Sequence, residues 1–384
     1  YFAYTVNRQR SYIKCIDGHI GHIGEGGLFQ LTVYGEDFQT PDLLKGGVMY
    51  QIFPDRFCKS GKPKENIPDG RILREDWDGT PFYKPDENGH VWNNDYFGGD
   101  FAGIQSKLPY LKSLGVTCIY LNPIFESHEN HRYNTADYMK ADPLLGTNEE
   151  FEELCREADS MGISVILDGV FSHTGADSVY FNKFGRYPEV GAYQSKDSKY
   201  YDWYSFIDYP NTYEAWWGID TLPNVCENNE DYTEFICGEE GVLRYWLDRG
   251  AAGWRLDVAD ELPDQFLNNL RKCVKGYDKD KIIIGEVWED ASNKVAYQER
   301  KNYFDGTRLD SVMNYPFRTA VLDFLHGRID AFALAAFLTG QMMHYPKPLY
   351  RSLMNLLGTH DIERLQNALA SPVTWKDLSR EDQL

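Results

Sequence analysis

The stretch Ala158-Asp-Ser-Met-Gly-Ile-Ser-Val-Ile-Leu-Asp168 decides the fold. Its first half has the pattern of a helix end, where Gly162 supplies the left-handed residue that releases the chain into a strand. The apolar run that follows is typical of a buried strand, and it ends in a carboxylate. The same order of helix, glycine and strand returns around Gly115 and Gly250, which predicts parallel strands covered by helices.

Seven apolar runs of this kind follow one another, and a complete (β/α)8 barrel has eight strands. The predicted strands are Val48–Phe53, Thr117–Leu121, Ser164–Val170, Trp254–Val258, Lys281–Val287, Leu309–Met313 and Ser352–Leu357. We therefore expect an α/β fold, a TIM barrel that is C-terminally truncated and shows about seven strands. Thr147-Asn-Glu-Glu150 predicts a capping box at the start of one of its helices.

The N-terminal residues have a different pattern. Three alternating runs, Phe2–Val6, Ser11–Ile16 and Leu28–Tyr34, are separated by glycine-rich turns. Alternation of this kind is typical of half-buried strands. Residues 1–40 are therefore predicted to be a partial N-terminal β domain, part of a β-sandwich.

The barrel is predicted to occupy residues 46–384 and to lack its last unit. After the third strand, about sixty residues rich in Tyr, Asn, Asp and Gly precede a helix expected near Glu239, which is too long for a simple connection. We expect residues 174–238 to form an insertion subdomain within the barrel. The sequence ends about two dozen residues after Asp361, before an eighth strand, so we expect a fragment of a longer chain.

Charge and cysteine content limit the classes of partner. The 384 residues carry a formal net charge of -20, which argues against nucleic acid and anionic membranes as partners. No apolar run approaches the ~18 residues of a membrane span. The seven cysteines are scattered without Cys-x-x-Cys pairs, which favours reduced thiols and a cytoplasmic location.

Five polar residues close the predicted strands: Asp168, Arg255, Asp257, Glu286 and Asp361. Acidic residues are poor strand formers, so carboxylates repeated at strand ends rarely serve the fold alone. The carboxyl ends of parallel strands share one rim, where these side chains would converge. A single such residue has an ordinary explanation as a helix cap, a turn or a surface ion pair, but the coincidence of several predicts an enzyme.

Asp257 and Glu286 end strands expected to be neighbours, and two carboxyls about 5 Å apart suit retaining cleavage of a glycosidic bond. Arg255 lies two residues before Asp257 on the same strand face, so its charge would keep that carboxylate ionised. Glu286 has no basic neighbour in sequence and precedes Val287 and Trp288. An apolar setting would raise its pKa towards that of a general acid.

At these residues the chain resembles the α-amylase superfamily, glycoside hydrolase family 13, and within it the neopullulanase and cyclomaltodextrinase group. The resemblance covers nearly everything from Gly46 onward. Its motifs occur in the order of the family: Asp168-Gly-Val-Phe-Ser-His173, Gly253-Trp-Arg-Leu-Asp-Val-Ala-Asp-Glu261, Gly285-Glu-Val-Trp288 and Leu356-Leu-Gly-Thr-His-Asp361. Thr221-Leu-Pro-Asn-Val225 is similar to a further motif in the insertion.

The resemblance implies that Asp257 is the nucleophile, Glu286 the general acid and base, and Asp361 the stabiliser of the sugar hydroxyls. It implies further residues that bind substrate, among which Tyr133 would stack on the sugar and Trp288 and Glu261 would shape the leaving-group side. The substrate-binding set is Tyr133, Asp168, His173, Arg255, Glu261, Trp288 and His360. For the two histidines and Tyr133, ordinary packing is the alternative.

Two departures from the family concern calcium, and no residue is assigned as a metal ligand. Ser172 stands where the first motif usually has a calcium-binding asparagine, and serine is a weaker ligand for a hard cation. The loop Asp55–Glu65, where this group often binds calcium, is rich in lysine. We expect no required cofactor, with a structural calcium ion as the alternative that these two departures disfavour. We hypothesise that the ammonium of Lys59 or Lys64 replaces a metal by reaching Asp100; a solvated basic loop is the alternative to this hypothesis.

The sequence therefore predicts a retaining glycoside hydrolase that cleaves α-1,4-glucosidic bonds of maltooligosaccharides, cyclodextrins or pullulan. The partner expected is an α-glucan oligosaccharide, and the resemblance allows a homodimer in the full-length protein. The rival within the family is an α-glucosyltransferase or isomerase, which excludes water from the same intermediate. A non-catalytic glucan-binding fragment is the rival from another class. A metal-dependent barrel enzyme is a third, although the sequence lacks the ligand spacing for it.

Overall fold

The structure is a computed structural model, which describes residues 1–16, 20–64, 67–87 and 89–370. The chain divides into two compact units: residues 41–286 form one, and residues 1–40 with those from 287 onward form the other. Within the described ranges, no helix is both long enough and apolar enough to cross a bilayer.

The N-terminal residues form an antiparallel sheet of three strands, β1 (Phe2–Val6), β2 (Gln9–Ile16) and β3 (Ile20–Ile23). The first two strands lie where the sequence predicts them. The third predicted strand, Leu28–Tyr34, is wrong, because this stretch has no regular structure.

The reason lies in the glycines and in where the polar side chains bond. Gly24 and Gly26 have φ of 101° and 139°, and after this turn the antiparallel pairing continues as an isolated bridge between Gly27 and Cys15 rather than as a strand. In the stretch that follows, Gln30 donates from Nε2 to Ser292 Oγ at 3.1 Å. The alternation seen in the sequence thus does not mark a strand.

The second unit contains the first five predicted barrel strands. Its strands are β4 (Met49–Ile52), β5 (Ile72–Leu73), β6 (Asp95–Tyr96), β7 (Cys118–Leu121), β8 (Phe125–Ser127), β9 (Thr135–Ala141), β10 (Ser164–Gly169), β11 (Phe206–Asp208), β12 (Thr212–Tyr213), β13 (Gly253–Leu256) and β14 (Ile282–Gly285). Strands β4, β7, β10, β13 and β14 pair in this order, and every pair is parallel. Strands β7, β13 and β14 are buried along their whole length, as the apolar runs predict.

Helices alternate with these strands. They are α1 (Phe101–Ser106), α2 (Leu108–Ser113), α3 (Asn148–Ser160), α4 (Glu230–Cys237), α5 (Val242–Asp248) and α6 (Asp264–Tyr277). The capping box at α3 is confirmed: Thr147 Oγ1 accepts from Glu150 N, and the Glu150 carboxylate accepts from Thr147 N. Gly162 and Gly250 follow their helices with φ of 70° and 97°, as predicted. The helix expected to start near Glu239 is α5, which begins at Val242 after the N-cap residue Gly241; α4, which precedes it, was not predicted.

The stretch between β10 and α4 has little regular structure and an aromatic interior. Its only strands in the described residues are β11 and β12, which form a short antiparallel hairpin. Tyr180, Trp203 and Phe235 pack on one another with ring centroids 5.2 to 5.4 Å apart. Tyr180 and Phe235, the latter on α4, also pack on Tyr138 of β9, so this packing joins the long connection to the rest of the unit.

From residue 287 onward, the first unit contains strands β15 (Val295–Ala296), β16 (Glu299–Arg300), β17 (Ser311–Asn314) and β18 (Met354–Asn355) and helices α7 (Tyr315–Leu325), α8 (Ala331–His344), α9 (Lys347–Tyr350) and α10 (Leu365–Ala370). Strands β17 and β18 are parallel neighbours. They correspond to the sixth and seventh predicted strands, although β18 has only two residues. The strand-helix order predicted from the sequence therefore continues in this unit.

Candidate active site

Strand register brings the predicted site residues of the second unit onto one face of the sheet. Asp168 on β10 is the direct partner of Arg255 on β13, and Arg255 is the partner of Ile284 on β14. Side chains alternate between faces along a strand, so Asp257 and Glu286, two residues further on, share the face of Arg255. The expected convergence of Asp168, Arg255, Asp257 and Glu286 occurs.

The Arg255 guanidinium joins all three carboxylates. Its Nη1 lies 2.8 Å from Asp168 Oδ1 and 2.8 Å from Asp257 Oδ1, and its Nη2 lies 2.9 Å from Glu286 Oε2. The Arg255 side chain is only 1% exposed. A buried, planar cation with fixed donors holds the carboxylates in a defined geometry.

The carboxyls of Asp257 and Asp168 are buried beside this cation, and the pKa of each is shifted from its ordinary value. Burial raises the pKa of the Asp257 carboxyl well above its ordinary value; Arg255 lowers it, and the charges of Glu286 and Asp168 raise it. Burial likewise raises the pKa of Asp168. Arg255 thus acts on Asp257 in the predicted direction, but burial has the larger effect. The cluster retains a proton to higher pH than isolated carboxylates would.

The expected apolar setting of Glu286 is wrong. Its carboxylate contacts Arg255, and its Oε2 also accepts from the backbone N–H of Val258 at 2.8 Å. Both partners lie on or just after the neighbouring strand β13. Neighbours in sequence therefore could not reveal the charge that faces Glu286.

Asp168 is an anchor at the base of the cluster and is 1% exposed. Its Oδ2 accepts from the hydroxyls of Tyr120 and Tyr133, the latter at 2.8 Å, while its Oδ1 contacts Arg255. Asn122 Nδ2 in turn donates to Tyr133 Oη at 3.0 Å. Donors on both oxygens fix this carboxylate in place.

His173 is buried and uses both ring nitrogens inside the protein. Its Nε2 lies 3.1 Å from the carbonyl oxygen of Tyr133, and its Nδ1 lies 3.0 Å from Ser172 Oγ. Burial lowers the pKa of His173 to about 4, so the ring is neutral near pH 7. In this arrangement His173 positions Tyr133, a candidate sugar-stacking residue.

Glu261 binds two tryptophans that sequence reasoning did not single out. Its Oε2 accepts from Trp216 Nε1 at 2.7 Å, and its Oε1 accepts from Trp217 Nε1 at 2.9 Å. The two indoles are stacked, with centroids 4.5 Å apart and an interplanar angle of 10°. The Trp216 ring also lies 5.2 Å from the His173 ring.

The remaining predicted residues, Trp288, His360 and Asp361, lie in the first unit. Tyr315 joins them: its ring stacks on Trp288 at 4.1 Å, and its hydroxyl lies 3.4 Å from Asp361 Oδ2. His360 Nε2 lies 3.2 Å from Asp361 Oδ1. A half-exposed indole next to a carboxylate offers both an apolar face and a hydrogen-bond acceptor, which suits a sugar.

The residues expected at a family calcium site do not fit a cation here. Lys64 Nζ lies 2.5 Å from Asp100 Oδ2, and Ser60 donates to Asp100 from its backbone N–H and its hydroxyl. With the backbone N–H of Gly103, four donors, one of them an ammonium, already surround the carboxylate that calcium would need. Ser172 contacts His173, as described above. Lys59 instead donates to the carbonyl of Arg74, and residue 65 of this loop is outside the described residues.

More generally, the residues that the structure describes contain no group of three or more His, Cys, Asp and Glu side chains arranged to hold a metal ion. The cluster around Arg255 is organised by a guanidinium.

A parallel sheet whose strand ends carry an arginine and paired carboxylates is typical of barrel glycoside hydrolases. Residues 51–381 match the catalytic domain of α-amylase, and the chain therefore belongs to the α-amylase family. The predicted family and its (β/α)8-barrel fold class are confirmed.

Three similar proteins illustrate the relationship. Amylopullulanase from Thermoanaerobacterium saccharolyticum is 40% identical over 411 residues, which cover 94% of this chain and 31% of the relative. Neopullulanase 2 from Thermoactinomyces vulgaris is 36% identical, over 88% of this chain and 54% of the relative. The cyclic α-maltosyl-(1→6)-maltose hydrolase from Arthrobacter globiformis has a solved structure with a TM-score of 0.73 and 34% identity, over 86% of this chain and 69% of that one. The chain thus spans about a third to a half of the two curated relatives.

Four aromatic residues that contact predicted site residues within their own unit escaped sequence reasoning. Tyr120 lies inside a strand assigned to the core, and Tyr315 follows directly after a strand end, which was the available signal. Trp216 and Trp217 lie in the long insertion, where a doubled tryptophan was visible but had no partner in sequence.

Proposed function

We propose that this chain carries the catalytic centre of a retaining α-glucan hydrolase, which cleaves α-1,4-glucosidic bonds of maltooligosaccharides, cyclodextrins or pullulan. The observation that carries the proposal is the pairing of Asp257 and Glu286 on adjacent strand ends through one guanidinium. The related amylopullulanase, neopullulanase and cyclomaltodextrinase are named for such glucans.

In the first step, Asp257 attacks the anomeric carbon while Glu286 donates its proton to the leaving glucosidic oxygen. The C–O bond to the leaving sugar breaks and an ester between the Asp257 carboxylate and the glucosyl unit forms. Arg255 favours the ionised form of Asp257, which is the form that attacks.

In the second step, the Glu286 carboxylate takes a proton from water, whose oxygen attacks the anomeric carbon of the ester. Asp257 leaves as a carboxylate, Glu286 is protonated again, and the sugar keeps its α configuration. Val258 N–H, bonded to Glu286 Oε2, holds this carboxyl in one orientation through both steps.

The other residues have supporting roles in this proposal. Asp168 and Arg255 position the reacting pair, Tyr133 stacks on the sugar, and His173 holds the backbone of Tyr133. In the first unit, Asp361 and His360 bind sugar hydroxyls and Trp288 contacts an apolar sugar face.

The test is turnover of maltoheptaose, β-cyclodextrin and pullulan by wild type, Asp257→Asn and Glu286→Gln. We expect each variant to lose at least about a thousandfold in kcat, because one carries no nucleophile and the other no acid. Asp159→Asn, an exposed carboxylate at the end of α3, is the matched control and should retain full activity. Equal turnover by wild type and both site variants contradicts the assignment.

The rival functions make different predictions in the same assay. A glucosyltransferase or isomerase would give mainly transfer products even at low substrate concentration. A non-catalytic glucan-binding fragment would bind maltoheptaose without turnover. Release of the β-anomer first, seen by NMR, would contradict double displacement.

The proposal extends to cofactor, partners and location. Lys64 forms an ion pair with Asp100, the acidic residue that a calcium ion would need in this loop. This pairing supports activity without calcium. All seven cysteines are unpaired, which supports a reducing, cytoplasmic environment. We also propose that the full-length protein can form a homodimer, which light scattering would test.

A further inference from the structure

The stacked rings of Trp216 and Trp217, here called the indole pair, lie beside the candidate site and are held there by Glu261. One carboxylate orients both rings, because each of its oxygens accepts one indole N–H. Hydrogen bonds from neutral donors to a carboxylate are stronger than bonds between neutral groups. The two rings are therefore held parallel and presented as a unit.

Two features of Trp217 work against stability. Its backbone has φ 50° and ψ 25°, a left-handed conformation that costs a residue with a side chain about 1 kcal/mol. Its side chain is 75% exposed, so little of its large apolar surface is buried. Strain combined with exposure indicates a function for the side chain, since neither helps the fold.

Contacts place the indole pair next to the reacting groups. On one side, the Trp216 ring packs near His173, whose Nε2 bonds to the carbonyl of Tyr133. On the other side, Glu261 N donates to Val258 O at 2.9 Å, and Val258 N donates to Glu286. The pair is thus joined through two residues, Glu261 and Val258, to Glu286, the group that protonates the leaving oxygen.

We propose that the exposed face of Trp217 binds a glucosyl residue on the leaving-group side of the cleaved bond, and that Glu261 is a positioning residue that acts through the indole pair. The identity of the sugar rests on the proposed function. An indole face matches the apolar C–H face of a glucose ring, while the hydroxyls remain at its edge. The leaving-group side follows from the link to Glu286.

The experiment measures binding of maltoheptaose by calorimetry in the full chain carrying Asp257→Asn, which prevents turnover. We expect Trp217→Gly to weaken binding about tenfold, or 1.4 kcal/mol. Glu261→Ala should weaken it similarly, because the ring loses its orientation. The double variant should be no weaker than either single variant, since Glu261 acts through Trp217; independent contacts would give a loss near the product, about a hundredfold.

Thermal stability is a second measurement, and it distinguishes a binding role of Trp217 from a structural one. Glycine relieves the left-handed strain, so Trp217→Gly should not lower the midpoint of thermal unfolding while it weakens binding. The matched control is Trp92→Ala, which also removes an exposed indole bonded to a carboxylate, here Asp86 at 3.0 Å. This variant should leave maltoheptaose binding unchanged.

The outcomes separate this inference from the proposed function. Unchanged binding in Trp217→Gly, or losses that multiply in the double variant, overturn the inference while turnover by wild type still stands. Weakened, non-additive binding together with absent turnover by wild type supports the indole pair and contradicts the hydrolase.

Discussion

Replacing Lys64 with methionine tests whether an ammonium does the structural work of a cation in the loop that precedes α1. The Lys64 side chain is 13% exposed and that of Asp100 is 4% exposed, so the pair is largely shielded from water. Asp100 also caps α1, where its Oδ1 accepts from Gly103 N at 2.7 Å. Loss of the ammonium therefore affects both the loop and the start of the helix.

The size of the effect follows from what remains around Asp100. Removing one partner of a buried ion pair costs about 3–5 kcal/mol when the other charge is left alone. Here Ser60 still donates twice and Gly103 once, so the loss should approach that of one hydrogen bond to a charged group, about 2 kcal/mol. Methionine keeps the length and apolar stem of lysine, which limits the change to the charge.

Urea unfolding at pH 7, with and without EDTA or added calcium, measures this loss. The matched control is Lys62→Met in the same loop, whose ion pair with Glu150 is exposed at 61% and 35%. Surface pairs contribute only about 0–1 kcal/mol, so this variant should be close to wild type. EDTA should not change the stability of wild type.

Two results would refute the reasoning. If EDTA destabilised wild type and calcium restored it, a metal rather than Lys64 would stabilise the protein. If Lys64→Met and Lys62→Met lost equal stability, the burial of the Lys64 pair would have no consequence.

Three further expectations concern buried polar groups. Burial raises the pKa of Glu227 from 4.5 to about 8, so the folded state loses stability as pH rises through this interval. The unfolding free energy of Glu227→Gln, measured by urea titration, should equal that of wild type at pH 4 and exceed it by about 2 kcal/mol or more at pH 8. Burial lowers the pKa of His173 from 6.5 to about 4, so stability falls as pH drops through this interval, and His173→Gln should show a smaller pH slope of its unfolding free energy. Tyr120→Phe removes a donor to buried Asp168 and should cost about 1–3 kcal/mol, measured by calorimetry beside the exposed control Tyr110→Phe.

The sequence could predict the features that depend on local periodicity. Apolar runs, three of which follow a helix that ends in glycine, predicted the five parallel strands of the second unit, and a two-residue spacing placed Arg255 and Asp257 on one face. The contact between Arg255 and Glu286 depends on strand register, which no local pattern reports. The alternation of apolar and polar residues in Leu28–Tyr34 indicates an amphipathic segment, but it does not show whether that segment pairs with another strand.

Contacts across long sequence separations escaped prediction for the same reason. Glu261 and Trp217 are 44 residues apart, and only the folded insertion brings the indole N–H to the carboxylate. Tyr120 has the apolar neighbours in sequence of a core residue, yet its hydroxyl donates a hydrogen bond to Asp168, 48 residues away. A tyrosine can pack in the core through its ring and donate a hydrogen bond through its hydroxyl. Which of these roles matters depends on its partner in the folded chain, which the local sequence does not contain.

Hydrogen bonds distinguish the two buried aspartates of the cluster more clearly than position or charge does. Asp168 accepts donors on both oxygens, from Arg255 on Oδ1 and from Tyr120 and Tyr133 on Oδ2, so hydrogen bonds reduce the nucleophilicity of both oxygens. Asp257 accepts a hydrogen bond from Arg255 on Oδ1, and no residue in the described part of the chain donates to its Oδ2. An ionised carboxylate oxygen that accepts no hydrogen bond is a better nucleophile than one that does, because a donor stabilises its negative charge. The proposal that Asp257 attacks and Asp168 supports thus follows from the distribution of donors, since Arg255 contacts both carboxylates at the same 2.8 Å.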